Sequence, residues 1–299
     1  MKTLFVVIII LLSSIEASHG AEPENRDPWL QWGEHNPDWI LPIEPFKIIS
    51  NVYYVGTQGI ASFLITSDNG HILIDGGLPQ SAATIIKNIN TLGFDIADVK
   101  KLLNSHAHFD HSGGLAELKE RSGALMIASQ QDTPFLESGL YPGSDNVNYT
   151  APIVIVDKEV SDGESISLGT NELIANITPG HSPGCTSWSM TVTDKGRAYD
   201  VLFFCSATVA GNKVVSLPQY PNIVCDYRHT FAKTKTWRPD VFLANHSFFF
   251  NLSDKRKQQL AGKELAFVDK KSFPALMLSL EKAFEQSLKK QSQALNKVD

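Results

Sequence analysis

The amino-acid sequence predicts an α/β protein of the α+β kind, in which two β-sheets pack together and helices lie outside them. First, both halves of the chain contain several β-rich segments bordered by segments with helical spacing. Second, 42% of the 299 residues are hydrophobic and 19% are charged, which supports a sizeable buried core. Third, no convincing linker divides the sequence. We therefore expect one domain over residues 21–299, with an irregular arm over about 21–45.

The first twenty residues are typical of a secretory signal peptide. Lys2 supplies a positive start, Leu4–Leu12 is an unbroken apolar run, and small residues follow up to Gly20. An apolar run of this length is too short to span a bilayer. We therefore expect cleavage after Gly20, export to the periplasm, and no membrane insertion of the mature protein.

The elements of the first half alternate between strand and helix. Asp68-Asn69-Gly70 is a strong hairpin turn between two β-rich segments. Ala82, Ile85 and Ile89 recur at helical spacing and would share one face of a helix. The expected elements are strands at 47–55, 62–66 and 71–74, a helix at 81–92, a strand at 99–103 and a helix at 114–120.

The second half repeats this rhythm. Asp194-Lys195-Gly196 marks a turn between two β-rich segments. Leu276, Leu280, Phe284 and Leu288 recur every four residues, so the C-terminus is predicted to be an amphipathic helix. The expected elements before it are strands at 172–178, 186–193, 197–204 and 241–244, and a helix at 225–235.

The charge balance narrows the range of partners. With 26 basic and 32 acidic residues, the net charge is −6, a balance that gives no footprint for nucleic acid, which would require a basic face. The sequence also lacks a polybasic signal for an anionic membrane surface. We expect a small-molecule substrate, and we expect the protein to be a monomer.

The strongest functional signal directly follows the buried strand expected at 99–103. His106, His108, Asp110 and His111 fall within six positions, a density that chance rarely produces. In extended chain, residues two apart point the same way, so His106 and His108 can bind one metal ion. Asp110 and His111 lie past a bend and can reach a second ion. Imidazole and carboxylate are zinc-type ligands.

Two further histidines also follow β-rich segments. His181 lies in a stiff loop rich in Pro and Gly at 178–184, and His246 follows the apolar run Val241–Ala244. Beside the first cluster, each becomes a candidate ligand. The other histidines of the mature chain do not follow a β-rich segment in this way and are predicted to be surface or packing residues. They are His35, His71 and His229.

At this point the motifs are recognisable. The chain resembles the metallo-β-lactamase superfamily, and within it subclass B3, over about residues 46–273. The motifs that carry the resemblance are Tyr54–Thr57, Ile72–Gly77, Ser105–Gly114, Thr178–Gly184, and Cys205-Ser206 followed by Ala210–Asn212. Subclass B3 enzymes use the third histidine of this motif, here His111, on the second zinc, whereas subclass B1 enzymes use a cysteine on that zinc and lack a histidine ligand at this place. Thioesterase relatives have a bridging aspartate where this chain has Cys205-Ser206.

The resemblance implies a four-layer αβ/βα sandwich with two Zn²⁺ ions per chain. It assigns His106, His108 and His181 to the first zinc. It assigns Asp110, His111 and His246 to the second. A zinc-bound hydroxide, positioned by the catalytic residue Asp110, would hydrolyse the amide bond of the β-lactam ring, and this activity would confer antibiotic resistance.

Further residues receive roles by position. Asp75 matches an acid that orients a metal-binding histidine, for which we expect His106, or else it caps the strand end. Ser206 and Thr208 are candidates to hydrogen-bond the substrate carboxylate. The polar segment at 135–150 forms either a wall of the groove or a plain surface loop, and Phe248–Phe250 is expected to pack in the core.

Several alternatives stay open. A related hydrolase acting on a lactone, thioester or phosphodiester, and a non-catalytic metal-binding protein, would have the same fold. A serine β-lactamase is disfavoured because the Ser-x-x-Lys matches at 279–282 and 287–290 follow the Ser-Asp-Asn matches, and Lys-Thr-Gly is absent. A Cys205–Cys225 disulfide would leave Cys185 as the odd thiol; alternatively, Cys205 could be a soft ligand near the second zinc.

Overall fold

The computed structural model describes residues 33–141 and 151–295. Three predictions fall wholly or partly outside the described residues: the signal peptide, the first part of the arm at 21–32, and the part of the polar segment at 142–150. Among the described residues, no helix is both long enough and apolar enough to span a membrane.

The first sheet has seven strands that follow one another in chain order. Neighbours from β1 to β4 pair antiparallel, and those from β4 to β7 pair parallel. The strands are β1 (Phe46–Ile49), β2 (Val52–Tyr54), β3 (Phe63–Ile65), β4 (His71–Ile74), β5 (Val99–Leu103), β6 (Leu125–Ser129) and β7 (Lys158–Val160).

The second sheet has five strands in the order β12-β11-β10-β9-β8. All pairs are antiparallel except β11 with β12, which is parallel. The strands are β8 (Ser165–Leu168), β9 (Asn171–Ile177), β10 (Thr186–Asp194), β11 (Arg197–Phe204) and β12 (Val241–Ala244).

Seven α-helices that lie wholly within the described residues accompany the sheets, and residues 33–35 are also helical. Three short 3₁₀ turns also occur, at Pro37–Trp39, Ile96–Asp98 and Ser247–Phe250. The helices are α1 (Ser81–Thr91), α2 (Phe109–Ser112), α3 (Leu115–Ser122), α4 (Thr133–Ser138), α5 (Ile223–Thr234), α6 (Leu252–Leu260) and α7 (Ser272–Leu295).

Alternation along the strands creates the layers. On β4, Ile72 and Ile74 face the core between the two sheets, while Leu73 packs with Ile85 and Leu118 of the outer helices. On β11, Phe203 contacts Phe63 of the first sheet at 5.2 Å between ring centroids, and Phe204 contacts Phe273 of α7 at 5.2 Å. The arrangement is helix, sheet, sheet, helix, which confirms the expected four-layer sandwich.

One element differs from the expectation. The β-rich segment at 47–55 is not one strand but a hairpin of β1 and β2, which turns at Ser50 and Asn51. Ser50 adopts a φ of +49°, the left-handed conformation that lets the chain reverse within two residues. Hydrophobic patterning marked the segment as β but could not place this turn.

The disulfide also differs from the pairing that the sequence left open. Cys185, just before β10, is bonded to Cys205, just after β11, and Cys225 is a free, exposed thiol on α5. The antiparallel register pairs Trp188 with Phe203 and thereby places the start of β10 next to the end of β11, where the two cysteines lie. Bonded to Cys185, Cys205 is not a soft metal ligand.

Candidate metal centre

All six candidate ligands lie in segments that leave strand ends at one edge of the two sheets. His106 and His108 follow β5 of the first sheet, whereas His181 and His246 follow β9 and β12 of the second. His108 precedes the short helix α2, which contains Asp110 and His111, so the expected bend is the start of a helix. The packing of the two sheets therefore brings together residues up to 140 positions apart in the chain.

Three imidazole rings converge in the first cluster. His106 Nε2 lies 2.9 Å from His108 Nδ1, which lies 3.0 Å from His181 Nε2. The Nδ1 atom of His181 donates to the carbonyl oxygen of Thr208 at 2.8 Å, which leaves Nε2 of His181 as a lone-pair donor. The geometry suits one metal ion held by three nitrogens.

Burial sets the charge of these three rings. It lowers the pKa of His106 and His108 well below the ordinary value and lowers the pKa of His181 to about 4. All three rings are therefore neutral near pH 7. Neutral imidazole is the form that binds a metal ion.

The second cluster combines a carboxylate with two imidazoles. His111 Nε2 lies 3.2 Å from Asp110 Oδ2 and 3.3 Å from His246 Nε2, and Asp110 Oδ2 lies 3.4 Å from His246 Nε2. Burial would raise the pKa of Asp110, but His111 and His246 together hold it well below its usual range. The cluster thus offers an ionised oxygen and two ring nitrogens to a second ion.

Asp75 lies behind this second cluster. Its Oδ1 atom accepts hydrogen bonds from the Ser105 amide at 2.7 Å and from Asn104 Nδ2 at 3.2 Å. Its Oδ2 atom lies 3.9 Å from His111 Nδ1. The expected partner, His106, has Ser105 Oγ at 3.0 Å from its own Nδ1 instead. The acid therefore faces His111, and the contact to His106 Nδ1 comes from the Ser105 hydroxyl instead.

Comparison with known proteins agrees with this geometry. Residues 55–193 match the model of the metallo-β-lactamase superfamily. The crystal structure of a subclass B3 metallo-β-lactamase of Bradyrhizobium japonicum is 46% identical, with a TM-score of 0.84 over 86% of this chain and 98% of that one. This chain belongs to the metallo-β-lactamase superfamily. Within that superfamily it resembles subclass B3.

Other relatives are more distant. A metallo-β-lactamase from Legionella gormanii is 36% identical, with a TM-score of 0.81 over 84% of this chain and 98% of that one. Among curated sequences, a hydroxyacylglutathione hydrolase of Maricaulis maris is 27% identical over 195 residues, which are 59% of this chain and 68% of the relative. The superfamily thus includes relatives with different named substrates.

The two expected substrate contacts lie beside the first cluster of this metallo-β-lactamase fold. Ser206 is 3% exposed, and its Oγ lies 3.1 Å from Thr208 Oγ1 and accepts the Thr208 amide at 3.2 Å. Thr208 Oγ1 is 3.2 Å from His181 Nδ1. The half-buried Thr208 therefore stands between Ser206 and the cluster.

Sequence reasoning missed Asp132. Its carboxylate is 1% exposed and accepts hydrogen bonds from the Ala107 amide, the Ser182 hydroxyl and the Gly184 amide at 2.7–3.0 Å. Burial raises its pKa to about 6, while these three donors oppose the rise. In the sequence, Asp132 precedes Thr-Pro and would be interpreted as a helix N-cap.

Two more unpredicted side chains support the first cluster. The hydroxyl of Tyr141 donates to the carbonyl oxygen of His181 at 2.9 Å, and its ring packs edge-on against His108 at 4.0 Å. Asn212 Nδ2 donates to the same carbonyl at 3.0 Å and also contacts the Tyr227 hydroxyl at 3.1 Å. Tyr141 lies in the segment at 135–150 that was expected to form either a wall of the groove or a surface loop, and Asn212 lies in the recognised motif Ala210–Asn212, but neither was predicted to contact the loop of His181.

Aromatic side chains surround His246. Trp39 and Phe248 each lie 5.6 Å from its ring between centroids, and Phe249 lies at 5.9 Å. Phe250 is fully buried, as expected for core packing, but Phe248 is 64% exposed. The segment therefore provides both a core residue and an apolar surface next to the second cluster.

Proposed function

We propose that this protein is an exported zinc-dependent β-lactamase that hydrolyses the amide bond of the β-lactam ring and confers resistance to β-lactam antibiotics. The observation that supports it most is the pair of adjacent clusters: one has three imidazoles, and the other has a carboxylate and two imidazoles. They lie in a chain whose sequence is 46% identical to that of a subclass B3 enzyme of similar fold.

We assign one zinc to His106, His108 and His181, and a second zinc to Asp110, His111 and His246. The residues fit the metal because the rings of the first set are neutral and the second set carries one ionised oxygen. When bound, zinc supplies Lewis acidity, lowering the pKa of water to near neutral and polarising a carbonyl group.

Side chains around the two clusters have three further roles: handling a proton, orienting a ligand and binding the substrate carboxylate. Asp110 stays ionised, so a carboxylate oxygen can orient the attacking water and carry a proton to the amide nitrogen that leaves. Asp75 Oδ2 lies 3.9 Å from His111 Nδ1, beyond hydrogen-bond distance, so only its negative charge favours the ring orientation that points Nδ1 toward it. Thr208, with Ser206 behind it, is placed to donate a hydrogen bond to the substrate carboxylate.

A thioester hydrolase is the second candidate, because a curated relative is named hydroxyacylglutathione hydrolase. The segment after β11 argues against it. The bridging acid expected of thioesterase relatives is replaced by Cys205 and Ser206, and Cys205 is bonded to Cys185. The second cluster thus keeps a single carboxylate, from Asp110.

The deciding experiment is hydrolysis of a chromogenic cephalosporin, a carbapenem and a hydroxyacylglutathione thioester by purified mature protein. Turnover of the β-lactams that is lost with a chelator and restored by zinc would support the proposal. If a sample with two zincs per chain hydrolysed only the thioester, the proposed β-lactam substrate would be wrong, and the metal assignment would stand. The mass of the secreted chain tests export: cleavage after Gly20 gives an N-terminus at Ala21.

A further inference from the structure

Asp132 connects two loops that come from different sheets. The loop after β5 carries His106 and His108, and the loop after β9 carries His181. Asp132 Oδ2 accepts the amide of Ala107 at 3.0 Å and the hydroxyl of Ser182 at 2.8 Å. The amide of Gly184 donates to Oδ1 at 2.7 Å.

Two of these contacts lie next to candidate ligands, and the third, at Gly184, lies three residues after His181. Ala107 separates His106 from His108, and Ser182 follows His181 directly. The bonds from the Ala107 and Gly184 amides hold the backbone of the two loops, and the bond from the Ser182 hydroxyl holds the side chain next to His181. An ionised carboxylate is well suited to this task, because it only accepts hydrogen bonds and all three partners donate.

The side chain does not serve its own helix. Asp132 occupies the N-cap position of α4, where an aspartate ordinarily accepts an amide of the first helical turn. Here the side chain makes no such cap. Instead, its carboxylate oxygens accept hydrogen bonds from the two ligand loops, which are the loops after β5 and β9 that carry candidate ligands.

The packing around Gly184 is an independent sign of the same contact. A Cβ atom at this position would lie 2.0 Å from Ser129 Oγ and 2.7 Å from Asp132 Cγ. The loop after β9 thus lies directly on Asp132 and on the end of β6, with no room for a side chain between them.

We propose that Asp132 is a positioning residue that holds the three-histidine cluster in its metal-binding geometry by joining the two loops. Both carboxylate oxygens are occupied and the side chain is 1% exposed, so Asp132 touches neither metal nor substrate. The inference rests on the proposed binding of zinc by His106, His108 and His181.

The test measures the zinc affinity of each cluster separately, by competition with a chromophoric chelator. His246→Ala weakens the second cluster and isolates the first, whereas His181→Ala isolates the second. In the His246→Ala background, Asp132→Asn is expected to weaken zinc binding by about 10–100-fold, the usual effect of losing a group that orients a ligand. In the His181→Ala background, it should leave zinc binding unchanged.

Asp157→Asn is the matched control. Like Asp132, Asp157 accepts a backbone amide through its carboxylate, in this case that of Met126 on β6 at 2.7 Å. It contacts neither of the two loops that carry the candidate ligands. This variant should bind zinc as the parent does. Ser182→Ala removes only one of the three donors, and we expect a smaller loss confined to the three-histidine cluster; this variant keeps the test valid if Asp132→Asn does not fold.

Equal weakening of both clusters, or no weakening of the first, would overturn the role of Asp132. A parent protein that binds no zinc at the three-histidine cluster would overturn this role and the metal assignment together. A parent that binds two zincs but hydrolyses no β-lactam would contradict only the proposed substrate, because the affinity measurements do not depend on turnover.

Discussion

At the scale of single residues, neighbouring groups decide which atoms face a metal ion. Thr208 holds the proton of His181 on Nδ1 through its carbonyl oxygen, so Nε2 faces the cluster. Asp75 approaches His111 from the side opposite Asp110 and His246. Each cluster is therefore oriented by groups that the sequence pattern alone did not connect with it.

Removing one ligand tests the second cluster. His246→Ala deletes one of its three donor groups, so we expect one zinc to be lost or weakly bound and turnover to fall by more than about 100-fold. Metal analysis and steady-state kinetics measure both effects. His229→Ala is the control, because His229 is exposed on α5 and should behave as the parent does. Unchanged zinc content and turnover in His246→Ala would rule out this assignment.

Ser206 provides the complementary test. Its hydroxyl contacts Thr208 in this structure, so Ser206→Ala is expected to keep two zincs and to lose substrate affinity more than zinc. Zinc content after dialysis, together with KM for a cephalosporin, measures the two effects. If a full equivalent of zinc disappeared, Ser206 would have to be a ligand.

At the scale of elements, β11 shows how one strand joins three layers. Phe203 packs inward on Phe63, and the next residue, Phe204, packs outward on Phe242 and Phe273. Both residues are at most 3% exposed. Only the second half of β11, 201–204, is buried throughout, and it forms a continuous apolar run that favours a strand.

This packing gives a prediction for the free energy of unfolding. Phe204→Ala should lower it by about 3–5 kcal/mol, because the ring leaves a cavity between β11 and α7. Phe248→Ala, at a side chain that is 64% exposed, should change it by less than about 0.5 kcal/mol. Urea denaturation of both variants measures the difference. Similar losses in the two variants would mean that the outer layer does not depend on this ring.

At the scale of the whole molecule, a covalent bond and hydrogen bonds fix the edge where the ligand loops meet. The disulfide joins the start of β10 to the end of β11, and Asp132 joins the loops after β5 and β9. Both connections lie within a few residues of His181. The metal-binding edge is therefore held rigid by contacts outside the ligands themselves.

The disulfide makes a separate prediction. Cys205→Ser opens a 20-residue loop and should cost about 3 kcal/mol under oxidising conditions. Cys225→Ser changes only the free thiol and should melt at the parent temperature. Thermal unfolding with and without a reductant measures both. A stability loss in Cys225→Ser that a reductant abolishes would point to the pairing left open by the sequence.

The sequence alone predicted a metal-binding motif, because His106, His108, Asp110 and His111 are close in the chain at the end of one strand. It also predicted the layers, since apolar alternation depends on local periodicity. The only disulfide it suggested was Cys205–Cys225, and spacing gave no reason to prefer the observed pair, because Cys185 and Cys225 are each 20 residues from Cys205.

The tertiary structure decided what depends on contacts between distant segments. The register of β10 and β11 selected the disulfide. The structure also places Asp75 beside His111 rather than beside the expected partner His106. The role of Asp132 became visible only when two sheets brought Ala107 and Gly184 onto one carboxylate. Such contacts depend on strand pairing and layer packing, for which a single sequence carries no local signal.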